Sequence, residues 1–309
     1  MDLYPLIVPV LAATLRMSFT LVVPALGEAF SQRAGVYNVG VEGYMLMASI
    51  SSYLAVVFTG NLWLGIIAGM LVGMILSLVH AYLFITLKAN TFVVGLGIWL
   101  LSMGLSSFIF RMTGIRSVIE GFSPIHIPVL SELPIVGPIL FQQNVLFYIG
   151  ILLVVIFAVV MFRTPFGLIV RATGENPLAV DIAGYNVSLI RYVSVLICGA
   201  MSGLGGAYLP LAVMYRFNEN MTAFRGFMAL AIVIFGRWNP WGILGGSLLF
   251  AFVDALQIRL QAVGVPIPFP LLLMLPYVVT IVVLVGVAAI IRRVAVPRKL
   301  AIPYIKGEA

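Results

Sequence analysis

Leu62-Trp63-Leu64-Gly65-Ile66-Ile67-Ala68-Gly69-Met70-Leu71-Val72-Gly73-Met74-Ile75-Leu76-Ser77-Leu78-Val79 carries no charged side chain. A run this long matches the hydrocarbon core of a bilayer, which takes about 20 apolar residues to cross. Inside lipid every backbone N–H and C=O needs an internal partner, so a span is either a helix or a strand of a closed barrel. Barrel strands alternate apolar and polar residues; this stretch is continuously apolar, which selects the helix. Gly65, Gly69 and Gly73 recur every fourth residue. That spacing places them on one helical face and lets a neighbouring helix approach closely.

The rest of the chain repeats the pattern. Of its 309 residues 62% are apolar and 9% charged, with a mean hydropathy of +1.17. Soluble domains carry about 25% charged residues, and this chain has too few polar side chains to cover its surface in water. Nine spans are read, at Leu6–Leu26, Val39–Val57, Leu62–Leu87, Thr91–Phe110, Asn144–Phe162, Tyr192–Val213, Ala223–Phe235, Trp241–Val263 and Pro270–Ile291. The seventh is short and is expected to be tilted, broken or re-entrant. The fold class is therefore all-α: one polytopic transmembrane bundle over 1–309, of about nine spans within a range of eight to ten. The first span lacks a basic flank before Arg16 and is expected to stay as a helix rather than be cleaved. Ser202, Gly203, Gly205, Gly206 and Ala207, and later Gly242, Gly245 and Gly246, read as further close-packing sites. Asn38-Val39-Gly40 is echoed weakly by Asn239-Pro240-Trp241-Gly242, a hint of an internal repeat.

Charge gives the bundle a direction. Arg33, Lys88, Arg163, Arg171, Arg191, Arg237, Arg292, Arg293, Arg298, Lys299 and Lys306 fall on one side of the nine-span map, and only Arg111, Arg116, Arg216 and Arg225 on the other. The positive-inside rule puts the first group in the cytoplasm. The N-terminus is then outside, the C-terminus and the loop at 163–191 inside, and the loop at 111–143 outside. The net charge of +7 is spread between apolar runs with no basic, aromatic-interleaved patch, so no nucleic acid is expected.

Several chemistries are missing. No G-x-x-x-x-G-K-[ST] loop can cradle ATP phosphates, and no G-x-S-x-G elbow is present. Two histidines, His80 and His126, and the single Cys198 make a zinc site improbable. No catalytic residue, metal ligand or cofactor is expected in this chain, and any ATP and Mg would sit on a partner.

What remains is a small set of polar residues inside apolar runs. Glu42, in Tyr37-Asn38-Val39-Gly40-Val41-Glu42-Gly43, either satisfies backbone donors of a kinked helix or lines a pathway. Asp254, Gln257 and Gln261 share one helical face; the stripe suits a polar solute, since amides donate and accept, and equally suits an interhelical hydrogen-bond cluster. Trp99, Phe92 and Tyr44 could stack on a base, although aromatics in spans more often pack or anchor. Asn38 and Phe92 complete the candidate pathway.

The loop at 163–191 holds Gly174-Glu175-Asn176-Pro177-Leu178-Ala179-Val180-Asp181-Ile182-Ala183-Gly184-Tyr185. Asn176 is a helix cap, Pro177 the favoured first helical residue and Gly184 a stop. Leu178, Ile182 and Tyr185 then form an apolar face at the cytoplasmic side, suited to headgroups or to a groove on a soluble partner.

Three stretches resemble the permease subunits of bacterial ABC importers in the branched-chain amino acid, ribose and simple-sugar superfamily: Arg33–Leu46; Gly174–Tyr185 with Ser202-Gly203-Leu204-Gly205-Gly206-Ala207; and Phe224–Ala231 with Phe235-Gly236-Arg237-Trp238-Asn239-Pro240-Trp241-Gly242. The third leans to the nucleoside and simple-sugar branch. The resemblance implies a second permease subunit, commonly a different gene product, cytoplasmic ATPase subunits, an external binding protein and a bacterial cytoplasmic membrane. It makes Gly174, Glu175, Asn176, Pro177, Leu178, Asp181, Ile182, Gly184 and Tyr185 the segment that contacts the ATPase. A nucleoside is the expected solute, with ribose or another simple sugar second and a flavin-like solute third. The rival classes are a secondary transporter with Glu42 or Asp254 carrying protons, and a non-transporting membrane scaffold.

Overall fold

The computed structural model describes residues 4–128, 130–264, 268–290 and 296–306. Within these the chain is helical, with one isolated antiparallel bridge between Pro124 and Asn144. Seven helical segments are long and apolar enough to cross a membrane: Ile7–Arg33, Val41–Thr59, Leu62–Thr86, Thr91–Thr113, Val145–Arg163, Val187–Val213 and Pro240–Val263. The helices are α1 (Tyr4–Arg33), α2 (Val41–Thr59), α3 (Leu62–Ala81), α4 (Thr91–Thr113), α5 (Val136–Leu140), α6 (Val145–Arg163), α7 (Pro165–Glu175), α8 (Pro177–Ile182), α9 (Val187–Tyr208), α10 (Arg225–Phe235), α11 (Pro240–Val263) and α12 (Phe269–Ile290).

The nine-span reading is corrected in its details. The seventh segment is α10, 11 residues long, or ~16 Å at 1.5 Å per residue, about half of a ~30 Å hydrocarbon core. The ninth is α12, 22 residues; Ile291, Arg292 and Arg293 lie outside the described residues. The first span runs on to Arg33, seven residues past its expected end at Leu26, and the sixth starts at Val187, five before Tyr192.

Asparagine sets half of the twelve described helix starts. The side chains of Asn61, Asn90, Asn144, Asn176, Asn186 and Asn239 each accept from a backbone N–H of the following first turn, at 2.9–3.3 Å. A cap satisfies donors that no intrahelical carbonyl reaches.

Helix α9 sits between α1, α2 and α3, and α1 packs in turn on α9, α10 and α11. The expected glycine face splits between two neighbours. A Cβ on Gly65 would strike Val56 and the Ser52 carbonyl of α2, whereas one on Gly73 would meet the Gly199 carbonyl and Gly203, and one on Gly69 would meet Ala207. The α3–α9 seam is therefore backbone against backbone. Gly205 faces Pro24 of α1 and Gly206 faces Met45 of α2. Both seam helices end in a π turn, Tyr82–Thr86 after α3 and Leu209–Val213 after α9. Phe19 stacks on Tyr208 at 4.3 Å and Phe30 meets Phe157 edge-on at 4.8 Å, which ties α1 to α9 and α6. Leu71 and Ile75 on α3, Leu100 and Leu101 on α4 and Leu152 and Val159 on α6 are exposed, as helices facing lipid require.

Candidate functional site

The polar centre of the bundle forms where α10 begins. Arg33 Nη2 donates to the Arg237 carbonyl at 3.5 Å, so the far end of α10 lies beside the end of α1, and its first turn reaches only part-way through the bundle. Ala223 and Phe224 hold left-handed φ angles of 46° and 62°, which turns the chain so that α10 points its N-terminus at α2. There Glu42, in the first turn of α2 and 3% exposed, accepts from Thr222 Oγ1 at 2.6 Å, Phe224 N at 3.0 Å and Gly226 N at 2.6 Å. The carboxylate caps a helix start and meets the positive end of its dipole. A Cβ at Gly226 would collide with Glu42. Both Glu42 oxygens are occupied by donors at the start of α10.

Next to it, Arg225 Nη2 pairs with Asp254 Oδ2 of α11 at 3.1 Å, the two side chains 11% and 12% exposed. The guanidinium also donates to the Thr222 carbonyl at 3.3 Å. The pair opens into a cavity of about 280 Å³ lined also by Met228, Gln257 and Ile258. Asp254 and Gln257 of the expected stripe thus share one cavity; Gln261 does not line it. Arg225, read from sequence only as a topological charge, is the residue that was missed. Its signal was Phe224-Arg225-Gly226 next to an apolar run too short to span.

The aromatic candidates divide. Trp99 is half-buried and meets Phe227 edge-on at 5.2 Å and Phe224 at 6.1 Å, joining α4 to the start of α10. Phe92 lies against Tyr37 at 5.0 Å. Tyr44 is fully buried and donates to Asn38 Oδ1 at 2.9 Å, which removes it as a stacking platform. Asn38 is buried too. Its N–H donates to Glu28 Oε1 at 2.9 Å and its Nδ2 to Cys198 Sγ at 3.8 Å. Glu28 also accepts from Gln32 Nε2 at 2.9 Å and from Cys198 Sγ at 3.3 Å, and Gln32 Oε1 accepts from Trp238 Nε1 at 2.7 Å. Asn38 therefore belongs to a buried network between α1 and α9 and does not line the Arg225–Asp254 cavity. No group of three or more His, Cys, Asp or Glu able to hold a metal comes together among the described residues.

The second candidate lies at the pole where α1, α7 and the C-terminal segment meet. Asn176 caps α8, accepting from Ala179 N at 3.1 Å, and Pro177 is its first residue. The helix stops before Gly184 at φ 86°, so Tyr185 lies beyond its last turn. Pro177 and Val180 are buried, Leu178 and Asp181 half-buried, and Glu175, Asn176, Ile182, Gly184 and Tyr185 exposed, Ile182 at 78%. Gly174 is buried where α7 touches the Arg33 carbonyl. Residues 298–306 lie over this segment. Lys299 N donates to the Gly174 carbonyl at 2.9 Å and Ala301 N to the Gly35 carbonyl at 3.0 Å. Arg191, 1% exposed, donates from Nε to Ala34 O at 3.1 Å and from Nη1 to Ile302 O at 3.0 Å. Lys88 Nζ donates to Ile85 O and Tyr304 O, both at 2.6 Å. Burial first, and then the charge of Arg191, holds the Lys88 ammonium below its ordinary pKa. Tyr304 donates to Asp181 Oδ2 at 3.0 Å. The ion pairs Lys306–Asp181 at 3.8 Å and Arg298–Glu175 at 3.9 Å have exposed cations and contribute little. Two cavities, of about 460 and 520 Å³, adjoin Tyr304 and Ile305.

Among the described residues, seven helices long and apolar enough to cross a membrane, with the Arg225–Asp254 pair joining α10 to α11, define a multi-pass membrane protein. The family described as "Branched-chain amino acid transport system / permease component" matches residues 10–287, and the chain belongs to it. It is 35% identical to the guanosine ABC transporter permease protein NupQ of Bacillus subtilis, with 100% of both chains covered. It is 35% identical to the nucleoside ABC transporter permease protein NupC of Lactococcus lactis, covering 97% of each. It is also 38% identical to the putative glucose ABC transporter permease protein TsgC13 of Haloferax volcanii, covering 82% of this chain and 78% of the relative. No solved structure matches the chain.

Proposed function

We propose that this chain is a permease subunit of an ATP-driven importer for nucleosides. The observation that carries the reading is full-length similarity at 35% identity to relatives named for guanosine and nucleoside transport. The pole built from α7, α8 and residues 298–306 faces the cytoplasm, where the Lys and Arg asymmetry puts it, and α8 docks on an ATPase subunit that supplies ATP and Mg. The N-terminus lies outside, α10 works as a half-height element between full spans, and α12 completes the crossing count. A second permease subunit, encoded by a different gene, and an external binding protein complete the importer in a bacterial cytoplasmic membrane.

The solute passes the Arg225–Asp254 cavity. Asp254 and Gln257 supply acceptors and donors for sugar hydroxyls and base edges, Gln261 extends that face, and Trp99 and Phe92 are the aromatic contacts on the α4 side. Glu42, saturated by Thr222, Phe224 and Gly226, holds the site's geometry, and a carboxylate so occupied is a poor proton carrier. A simple sugar is the second reading, favoured by the 38% identity to the glucose-named relative.

Proteoliposomes holding the permeases, ATPase subunits and binding protein test the reading. Uptake of labelled guanosine or adenosine is expected only with ATP inside and binding protein outside, and glucose is expected to stay out. Uptake on a proton gradient without ATPase subunits overturns the importer; ATP-driven uptake of glucose alone overturns the nucleoside.

A further inference from the structure

Helix α8 is poorly anchored by its own contacts. It has six residues, and only Pro177 and Val180 of it are buried. At one end Asn176 leaves the helical region at φ −149°; at the other, Gly184 has φ 86° and no atom within 4 Å of where its side chain would start. Val180 packs into the core beside α7 and α9, and a helix this short needs a further tie if its displacement is to reach the other spans.

Residues 298–306 supply that tie. Within nine residues the segment bonds to five separate elements: the end of α7 through Lys299 N and the Gly174 carbonyl, the end of α1 through Ala301 N and the Gly35 carbonyl, the first turns of α9 through Ile302 O and Arg191, the end of the α3 π turn through Tyr304 O and Lys88, and α8 through the Tyr304 hydroxyl and Asp181. Two of these cations, Arg191 and Lys88, also hold the carbonyls of Ala34 and Ile85, so each bridges the segment to a span end. Ala301 sits at φ 63°, a conformation an L-residue keeps only when neighbouring contacts impose it. Burial, and then the Asp181 carboxylate, pushes the Tyr304 pKa up, which keeps the phenol a donor.

We propose that residues 298–306 form a strap that positions α8 and passes its displacement to α1, α3 and α9, with Tyr304 as the residue joining strap to helix. This rests on the reading of α8 as the ATPase contact. Coupling between distant sites travels through contiguous bonded elements with alternative arrangements; α8 itself packs only on α7 and α9 through Pro177 and Val180, and the strap adds direct bonds toward α1 and the end of the α3 π turn.

The test is solute molecules imported per ATP hydrolysed, in the reconstituted complex, for wild type, Tyr304→Phe, Asp181→Ala and the double variant. Tyr304→Phe removes a single hydroxyl, and the loss of one hydrogen bond to a charged group is expected to lower the ratio about fivefold, with complex assembly and ATPase rate retained. The double variant is expected to match Asp181→Ala, because the bond that Tyr304→Phe removes is already lost there. An unchanged ratio in Tyr304→Phe overturns the strap. So does a fall of uptake and ATPase in parallel with the amount of assembled complex, which marks a purely structural contact. A wild-type complex whose uptake ignores ATP overturns the importer reading itself, a result separable from either.

Discussion

Glu42 and Asp254 are both carboxylates in apolar helices of this bundle, and their surroundings are opposite. Glu42 is enclosed and answered by three donors, two of them backbone N–H groups of one helix start. Asp254 has one cationic partner and an opening onto a cavity. A carboxylate that costs several kcal/mol to bury is held structurally in the first case and left partly available in the second. The difference separates a residue whose oxygens are taken up at one helix start from one that borders a cavity.

The largest effect is expected at Glu42. Glu42→Ala strands Thr222 Oγ1, the buried Gly226 amide and the part-buried Phe224 amide at the start of α10, at a cost of about 3–5 kcal/mol, and is read as a lower melting temperature and folded yield in detergent. Glu42→Gln keeps an acceptor oxygen and is expected to lose about half as much. Asp254→Asn is expected to cost about 1–2 kcal/mol, discounted for the cavity beside it, and to cut solute uptake about tenfold or more by a labelled-solute assay. The charge-swapped pair, Arg225→Asp with Asp254→Arg, sharpens the contrast. It is expected to regain stability and leave uptake low; recovery of both would make Asp254 as structural as Glu42.

The smallest effect belongs to a third carboxylate, on the surface. Glu219 accepts from Arg111 Nε at 3.0 Å and Nη2 at 2.9 Å. That bonding, opposed in part by desolvation, holds its pKa below the usual carboxylate value. A depressed folded-state pKa means the pair's stabilisation is complete above the unfolded carboxylate pKa and fades as pH falls through the folded one. The melting difference between wild type and Glu219→Gln should therefore be slight at neutral pH, shrink with added salt and vanish on the acid side.

The sequence reading and the structure agree where the information is local. Continuous apolar runs gave the seven long helices, Asn176-Pro177 gave the start of α8, and the brevity of Ala223–Phe235 is matched by the 11-residue α10. The other asparagine caps were equally readable, since each stands just before an apolar run. The partners that define the site were not readable. Glu42 finds its donors some 180 residues away, and the strap ties positions 35, 88, 174, 181 and 191 to the C-terminal segment. Such pairings leave no periodicity in the chain. Arg191 and Arg225 looked like topological charges because a count of cations is blind to burial. Glu28 escaped notice because it stands near a span end, where a carboxylate in water is unremarkable.

The α3–α9 seam has a further consequence. At Gly73 and Gly203 there is no room for a side chain, and Gly69 and Gly199 admit only the small Ala207 and Ser77 opposite them, so the spacing of these helices is gauged largely by their backbones. Separating them would open a void that no side chain is long enough to bridge. Contacts of this kind resist small displacements, so α3 and α9 are expected to keep their spacing while helices joined through side chains adjust.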